Sequence, residues 1–183
     1  RAFPNPGGGV KHLASLSAIP NHYVFRPADA VETAECWQIA VESRTTPSTL
    51  ALTRQKLVPV RLEFEEDNLS ARGAYELRPA SDEAKVTIFA TGSEVEIAVK
   101  ARDMLEERGI PTRVVSVPCF ELFEEQPEEY RKAILGNAPV RVAIEAGIRQ
   151  GWDSFIGTDG IFIGMKGFGA SAPAPELYKH FGI

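Results

Sequence analysis

The chain has 183 residues, 44% of them hydrophobic, which is room for one ordinary domain, or one domain plus a piece of another, around a sizeable core. Its 20 Lys+Arg against 25 Asp+Glu leave a formal charge of −5, a balance that disfavours nonspecific nucleic-acid binding. No apolar run reaches the roughly 18 residues of a membrane span, and RAFPNPGGG at the start lacks the apolar segment of a signal peptide, so the default location is cytoplasmic.

The opening RAFPNPGGG is Pro/Gly-rich and reads as loop. Val10–Ser17 has a brief helical pattern ended by Pro20, and Tyr23-Val24-Phe25 is a short strand. After Arg26-Pro27, Asp29 is a helix cap with Glu32 three residues on. Val31, Ala34, Trp37 (or Gln38) and Val41 are expected to form the inward face of a helix over 30–42. A strand at Thr49–Leu52 completes a βαβ unit. Between Lys56 and Gly73 the pattern dissolves, and Glu63, Glu65, Glu66 and Asp67 form an acidic patch that reads as a solvated connection. Residues 1–56 are therefore read as part of one α/β domain, 57–72 as a linker and 73–183 as a second domain.

The second domain opens with a strand near Gly73–Leu77 and then the βαβ unit that organises it, VTIFATGSEVEIAVKARDMLEERGIPTRVVSV over 86–117. Val86–Ala90 is an apolar strand, Ser93 is the expected N-cap with Glu96 completing a capping box, and Val95, Ala98, Val99 and Leu105 share one helical face. Gly109 and Pro111 end that helix, and Val114–Val117 is the next strand. A helical stretch over 120–135 breaks at Pro127. Val140–Ile144 is a buried strand, Trp152–Ile156 a short helix, Ile161–Met165 a strand and Glu176–Phe181 a last helical turn. Strands alternating with helices predict an open, mostly parallel sheet with helices on both faces.

Such sheets keep ligands beyond the carboxyl ends of their strands. Thr91, Gly92 and Ser93 open a helix there, and Glu145 follows a buried strand, so these residues mark a candidate crevice. Glu94 in the first turn would repel an anion, and neither GxGxxG nor a Walker pattern is present, which leaves a dinucleotide-binding oxidoreductase without its fingerprint. Glu145 has no evident His or carboxylate partner, His12, His22 and His180 are scattered, and Ser154 lies in no GxSxG elbow. No spacing marks a metal site. Cys36 and Cys119 sit in separate elements without CxxC and read as buried reduced thiols. The run GFGASAPAPEL after the last strand reads as packing or interface. Thr53-Arg54-Gln55 is the best local candidate, because Arg54 emerges past a strand's carboxyl end with a guanidinium suited to bidentate binding of phosphate or carboxylate.

In order along the chain, HLASLSAIPNHYVFRPADAVETA, PSTLALTRQ, ARGAYEL, TIFATGSEVEIAV, RVAIEAGIRQGWDSFIG and FIGMKGFGASAPAPELYKHFG resemble the C-terminal part of the transketolase family from about Val10 to Ile183. The resemblance implies the tail of a pyrimidine-binding domain followed by the family's C-terminal domain. It also implies a homodimeric thiamine-diphosphate enzyme, with a divalent metal (Mg or Ca), that moves a two-carbon ketol unit between sugar phosphates. Arg54 matches the arginine of the family's Ser-Arg-Gln motif, implied to bind the sugar phosphate, with Thr53 in place of the serine.

Three departures accompany the match. Phe3–Gly9 stand where the family has Asp-Gly-Pro-Thr-His-Gln-Pro, so the aspartate and histidine given to the substrate are missing. The GDG diphosphate-metal motif and the cofactor-activating glutamate are absent, and the family's further helix past Gly182 is not there. The expectation is a piece of a longer protein, or a chain with an altered start, that binds no cofactor and has no catalytic residue or ketol-transfer activity of its own. The competing reading is a stand-alone effector-binding or dimerisation module using Thr91, Gly92, Ser93 and Glu145. No nucleic-acid or membrane partner is expected.

Overall fold

A computed structural model of the chain describes residues 9–166 and 173–183. The opening RAFPNPGG and most of the Gly/Ala/Pro run after the last strand lie outside the described residues. The elements in chain order are α1 (Gly9–Ser17), β1 (Tyr23–Phe25), α2 (Ala30–Glu42), β2 (Ser48–Leu50), a 3-10 turn (Leu69–Arg72), β3 (Tyr75–Arg78), β4 (Val86–Ala90) and α3 (Glu94–Glu107). They continue with β5 (Thr112–Ser116), α4 (Phe120–Glu124), α5 (Glu128–Leu135), β6 (Val140–Glu145), α6 (Asp153–Ile156), β7 (Ile161–Gly164) and α7 (Ala174–Phe181).

The strands form two sheets. β1 and β2 pair in parallel, with Val24 opposite Thr49, as a strand–helix–strand unit dictates. The larger sheet has the order β3-β5-β4-β6-β7, in which β3 is antiparallel to β5 and every other pair is parallel. Alternation along β4 divides its side chains between two cores. Ile88 and Ala90 pack with Val95 and Ala98 of α3 on one face, while Phe89 packs with Phe123, Ile134 and Phe155 on the other. The mostly parallel sheet covered on both faces is therefore the fold that the sequence predicts. Pro127 divides the 120–135 stretch into two helices, as its missing N–H requires.

Two local expectations are corrected. The stripe expected to face inward on α2 faces outward: Val31, Trp37 and Val41 are 40%, 51% and 69% exposed, and Glu32 and Cys36 are the buried pair. Asp29 does cap the helix, accepting from Glu32 N at 3.0 Å, but the Glu32 side chain turns into the interior. There it accepts from Ala28 N (2.6 Å), Tyr75 O–H (2.6 Å) and Ser116 Oγ, so three donors hold a carboxylate where a hydrophobe was expected. Burial pushes its pKa above the ordinary carboxylate value, and the donors oppose the rise.

Ser93, the second correction, makes no cap bond, because its hydroxyl donates instead to Glu94 Oε1 at 2.7 Å. Glu96 pairs with Lys100 on the surface rather than closing a capping box. The stretch over 57–72 has little regular structure but is pinned along α2. Val60 N and Arg61 N both donate to Asp29 Oδ2, at 2.9 and 3.0 Å, and the Arg61 guanidinium pairs with Glu35 at 3.1 Å. Its acidic residues Glu63, Glu65, Glu66 and Asp67 are exposed.

Candidate functional site

In the larger sheet β4 is followed by α3 and then by β5 on one side, whereas β6 leads through α6 to β7 on the other. The adjacent strands β4 and β6 thus send their connections to opposite sides, and a crevice opens beyond their carboxyl ends. Thr91, just past β4, and Glu145, at the end of β6, line it, and Gly92 and Ser93 carry the chain from Thr91 into α3. Gly92 holds φ +59°, which lets the chain turn sharply from the strand into α3.

The crevice is filled from within the molecule. Arg26, the residue after β1, puts its guanidinium between the two carboxylates: Nη2 is 3.3 Å from Glu94 Oε2, and Nη1 pairs with Glu145 Oε1. The backbone of Arg26 is fastened as well, its N–H donating to Pro118 O (2.8 Å) and its carbonyl accepting from Gly92 N (3.0 Å). Burial lowers the pKa of Arg26, and the charge of Glu94 pushes it back up. Trp152 Nε1 donates to Glu145 Oε2, and Ala146 N donates to Glu94 Oε2 at 3.1 Å. With Glu94 1% and Glu145 9% exposed, this is a buried, multiply bonded cation between two anions. Such a socket accepts a guanidinium and rejects an anion.

Thr91, Gly92, Ser93 and Glu145 gather around the Arg26 socket: Thr91 and Glu145 share its cleft, Gly92 N donates to Arg26 O, and Ser93 Oγ donates to Glu94. Arg26 itself is not singled out by the sequence. The signal was available, because Arg26 follows strand β1 as Arg54 follows β2, but only tertiary contact shows which of the two inserts. A cleft of about 160 Å³ opens beside the socket, lined by Leu13, Ser17, Phe120, Glu121, Glu124 and Gln150 among others.

Arg54 lies apart from this socket. It is exposed in the loop after β2, and no hydrogen bond or ion pair holds its guanidinium among the described residues. Thr53 Oγ1 accepts from Gln55 N at 3.2 Å, a hydroxyl turn that a serine could make equally well. Gln55 Nε2 reaches Tyr178 O–H in α7 at 3.5 Å. Tyr178 in turn donates to Glu94 Oε1 at 3.0 Å, so the Arg54 loop and the Arg26 socket are connected. Among the described residues no group of three or more His, Cys, Asp or Glu is arranged to hold a metal ion, and no helix is long and apolar enough to cross a membrane.

A doubly covered, mostly parallel sheet preceded by a parallel strand pair docked through an arginine defines a two-unit α/β architecture. Residues 73–183 match the "Transketolase-like TK C-terminal domain" family and residues 8–59 the "Transketolase, pyrimidine binding domain" family, and the chain belongs to the transketolase family. It is 59% identical to a transketolase of Cereibacter sphaeroides over 95% of its length, covering 26% of that protein. It is 48% identical to a chloroplastic transketolase of Solanum tuberosum, with 95% of this chain and 24% of that one aligned. Among solved structures, transketolase from Leishmania mexicana superimposes with a TM-score of 0.85 at 42% identity, over 95% of this chain and 25% of that one. A Pichia stipitis transketolase in complex with sedoheptulose 7-phosphate gives 0.85 at 39% identity, over 94% and 25%. The chain thus spans about a quarter of the length of these relatives.

Proposed function

We propose that this chain is the carboxyl-terminal region of a transketolase and serves the transfer of a two-carbon ketol unit between sugar phosphates. Its own contribution is Arg54, which takes the sugar's phosphate. The observation that carries this is the contrast between two arginines after paired strands. Arg26 is consumed by Glu94 and Glu145, whereas Arg54 is exposed with its guanidinium unengaged among the described residues. A guanidinium there positions the substrate and neutralises its charge, without making or breaking a bond. The sugar-phosphate complex of the Pichia stipitis transketolase supports the substrate class.

Thiamine diphosphate with its divalent metal would supply the carbanion chemistry in the whole enzyme. The described residues do not fit that pair: no acidic cluster is arranged for a metal, and the helix start at Thr91-Gly92-Ser93 already faces the Arg26 guanidinium between carboxylates. No catalytic step is therefore assigned to them, and the 183-residue chain alone is inactive in this reading. A homodimer in the cytoplasm completes the proposal, with the exposed Val31, Trp37 and Val41 stripe offering apolar surface for contact.

The test is kinetic. In the full-length enzyme carrying this region, Arg54→Gln raises KM for phosphorylated sugars by about ten- to a hundredfold, the worth of one charge-assisted phosphate contact, and leaves a non-phosphorylated ketose unaffected. An equal loss on both substrates would remove Arg54 from phosphate binding. Turnover of xylulose 5-phosphate and ribose 5-phosphate by the isolated chain with thiamine diphosphate and Mg²⁺ would reject the inactive-fragment reading.

A further inference from the structure

We propose that Tyr178 is a positioning residue for the Arg54 loop, so that the last helix of the chain sets the affinity for phosphorylated sugars. The inference rests on the reading of Arg54 above and adds to it a residue 123 positions away from Gln55 in sequence.

An exposed arginine on a loop without regular structure loses conformational freedom when it closes on a phosphate, and the loss weakens binding unless the loop is already ordered. Two hydrogen bonds made by Gln55, the residue after Arg54, hold this one. The turn from Gln55 N to Thr53 Oγ1 is local, and the bond from Gln55 Nε2 to Tyr178 O–H is the long-range one. Tyr178 is a firm anchor because its own hydroxyl donates to Glu94 Oε1 at 3.0 Å. Glu94 is held in turn by Ser93 Oγ (2.7 Å), Ala146 N (3.1 Å) and Arg26 Nη2 (3.3 Å). A continuous line of polar contacts therefore runs from the buried ion pair between the two units to the residue next to Arg54.

Tyr178→Phe isolates this function with little risk to the fold. The ring stays in place, and Glu94 Oε1 keeps Ser93 Oγ. In the full-length enzyme the variant raises KM for phosphorylated sugars about three- to tenfold, the worth of one neutral hydrogen bond. It leaves kcat and the KM of a non-phosphorylated ketose as they were. Gln55→Leu, which cuts the same bond from the other side, gives the same rise, and the double variant is no worse than either single one. Added to Arg54→Gln, Tyr178→Phe changes nothing further. A normal KM in both single variants, additive effects, or a loss shared equally by phosphorylated and non-phosphorylated sugars overturns the proposal. The two readings separate cleanly. If Arg54→Gln raises the phosphate-dependent KM and Tyr178→Phe does not, only the role of Tyr178 fails; if Arg54→Gln has no such effect, the reading of Arg54 fails with it.

Discussion

The Arg26 guanidinium lies 3.3 Å from the Glu94 carboxylate, joining the carboxyl end of strand β1 to the first turn of helix α3 across the boundary between the two units. Around that pair the backbone closes too, with Gly92 N and Pro118 O both bonded to Arg26. The unit built on β1 and β2 is thereby keyed to the larger sheet by charge as well as by the apolar contact of Phe25 and Cys36 with Cys119 and Leu122.

Removing the cation should therefore cost far more than a surface pair would. Arg26→Met leaves Glu94 and Glu145 facing each other without a counter-charge, and is expected to lower stability by about 3–5 kcal/mol in urea titrations. Millimolar guanidinium chloride, filling the vacated socket, is expected to restore part of the loss in thermal melts, whereas equimolar sodium chloride is not. Equal responses to the two salts would show that the socket does not select a guanidinium.

Glu32 gives a pH signature of defined sign. Its carboxyl pKa is raised by burial above the ordinary 4.5. The fold thus favours the protonated form, and the stabilisation present below about pH 4.5 is lost as the pH climbs through the raised value. Glu32→Gln abolishes that slope, although it destabilises by about 1–3 kcal/mol because an amide NH₂ cannot accept the bond from Ala28 N. The difference in melting temperature between the parent chain and the variant should therefore shrink between about pH 4 and about pH 8. A difference that widens over this range would mean the carboxyl is held ionised.

Gly73 is expected to be intolerant of any side chain. It adopts φ +74°, and a Cβ there would overlap Phe123 N and Cys119 O, both of them backbone atoms that cannot step aside. Gly73→Ala should cost about 3–5 kcal/mol in equilibrium unfolding. A cost below 1 kcal/mol would show that the junction between the 3-10 turn and β3 yields easily.

Trp152 joins the aromatic core to the socket. Its ring meets Phe120 edge-on at 4.8 Å between centroids, while Nε1–H reaches Glu145 Oε2. Trp152→Phe keeps an aromatic ring but strands that oxygen, for an expected loss of about 1–3 kcal/mol. Because Arg26 and Trp152 share Glu145, the double variant with Arg26→Met should be non-additive in chemical denaturation. Strict additivity would mean that the two residues act on Glu145 independently.

By itself the sequence determined the elements and their class. The alternation of apolar strands with amphipathic helices, the breaks at Pro111 and Pro127 and the turn at Gly109 are local matters of backbone and periodicity, and each lies where those rules put it. It also brought Thr91, Gly92, Ser93 and Glu145 to one rim, because strand ends in a parallel sheet converge there. Tertiary structure decided which face of α2 is buried, since Glu32 goes inward where Tyr75 and Ser116 bring donors from elsewhere in the chain to join the local Ala28 N. It decided likewise that Arg26, and not Arg54, enters the crevice. Both arginines follow a strand of the same pair, but only Arg26 meets two carboxylates of the larger-sheet unit, Glu94 at the start of α3 and Glu145 at the end of β6, and a buried charge goes where its partners already are.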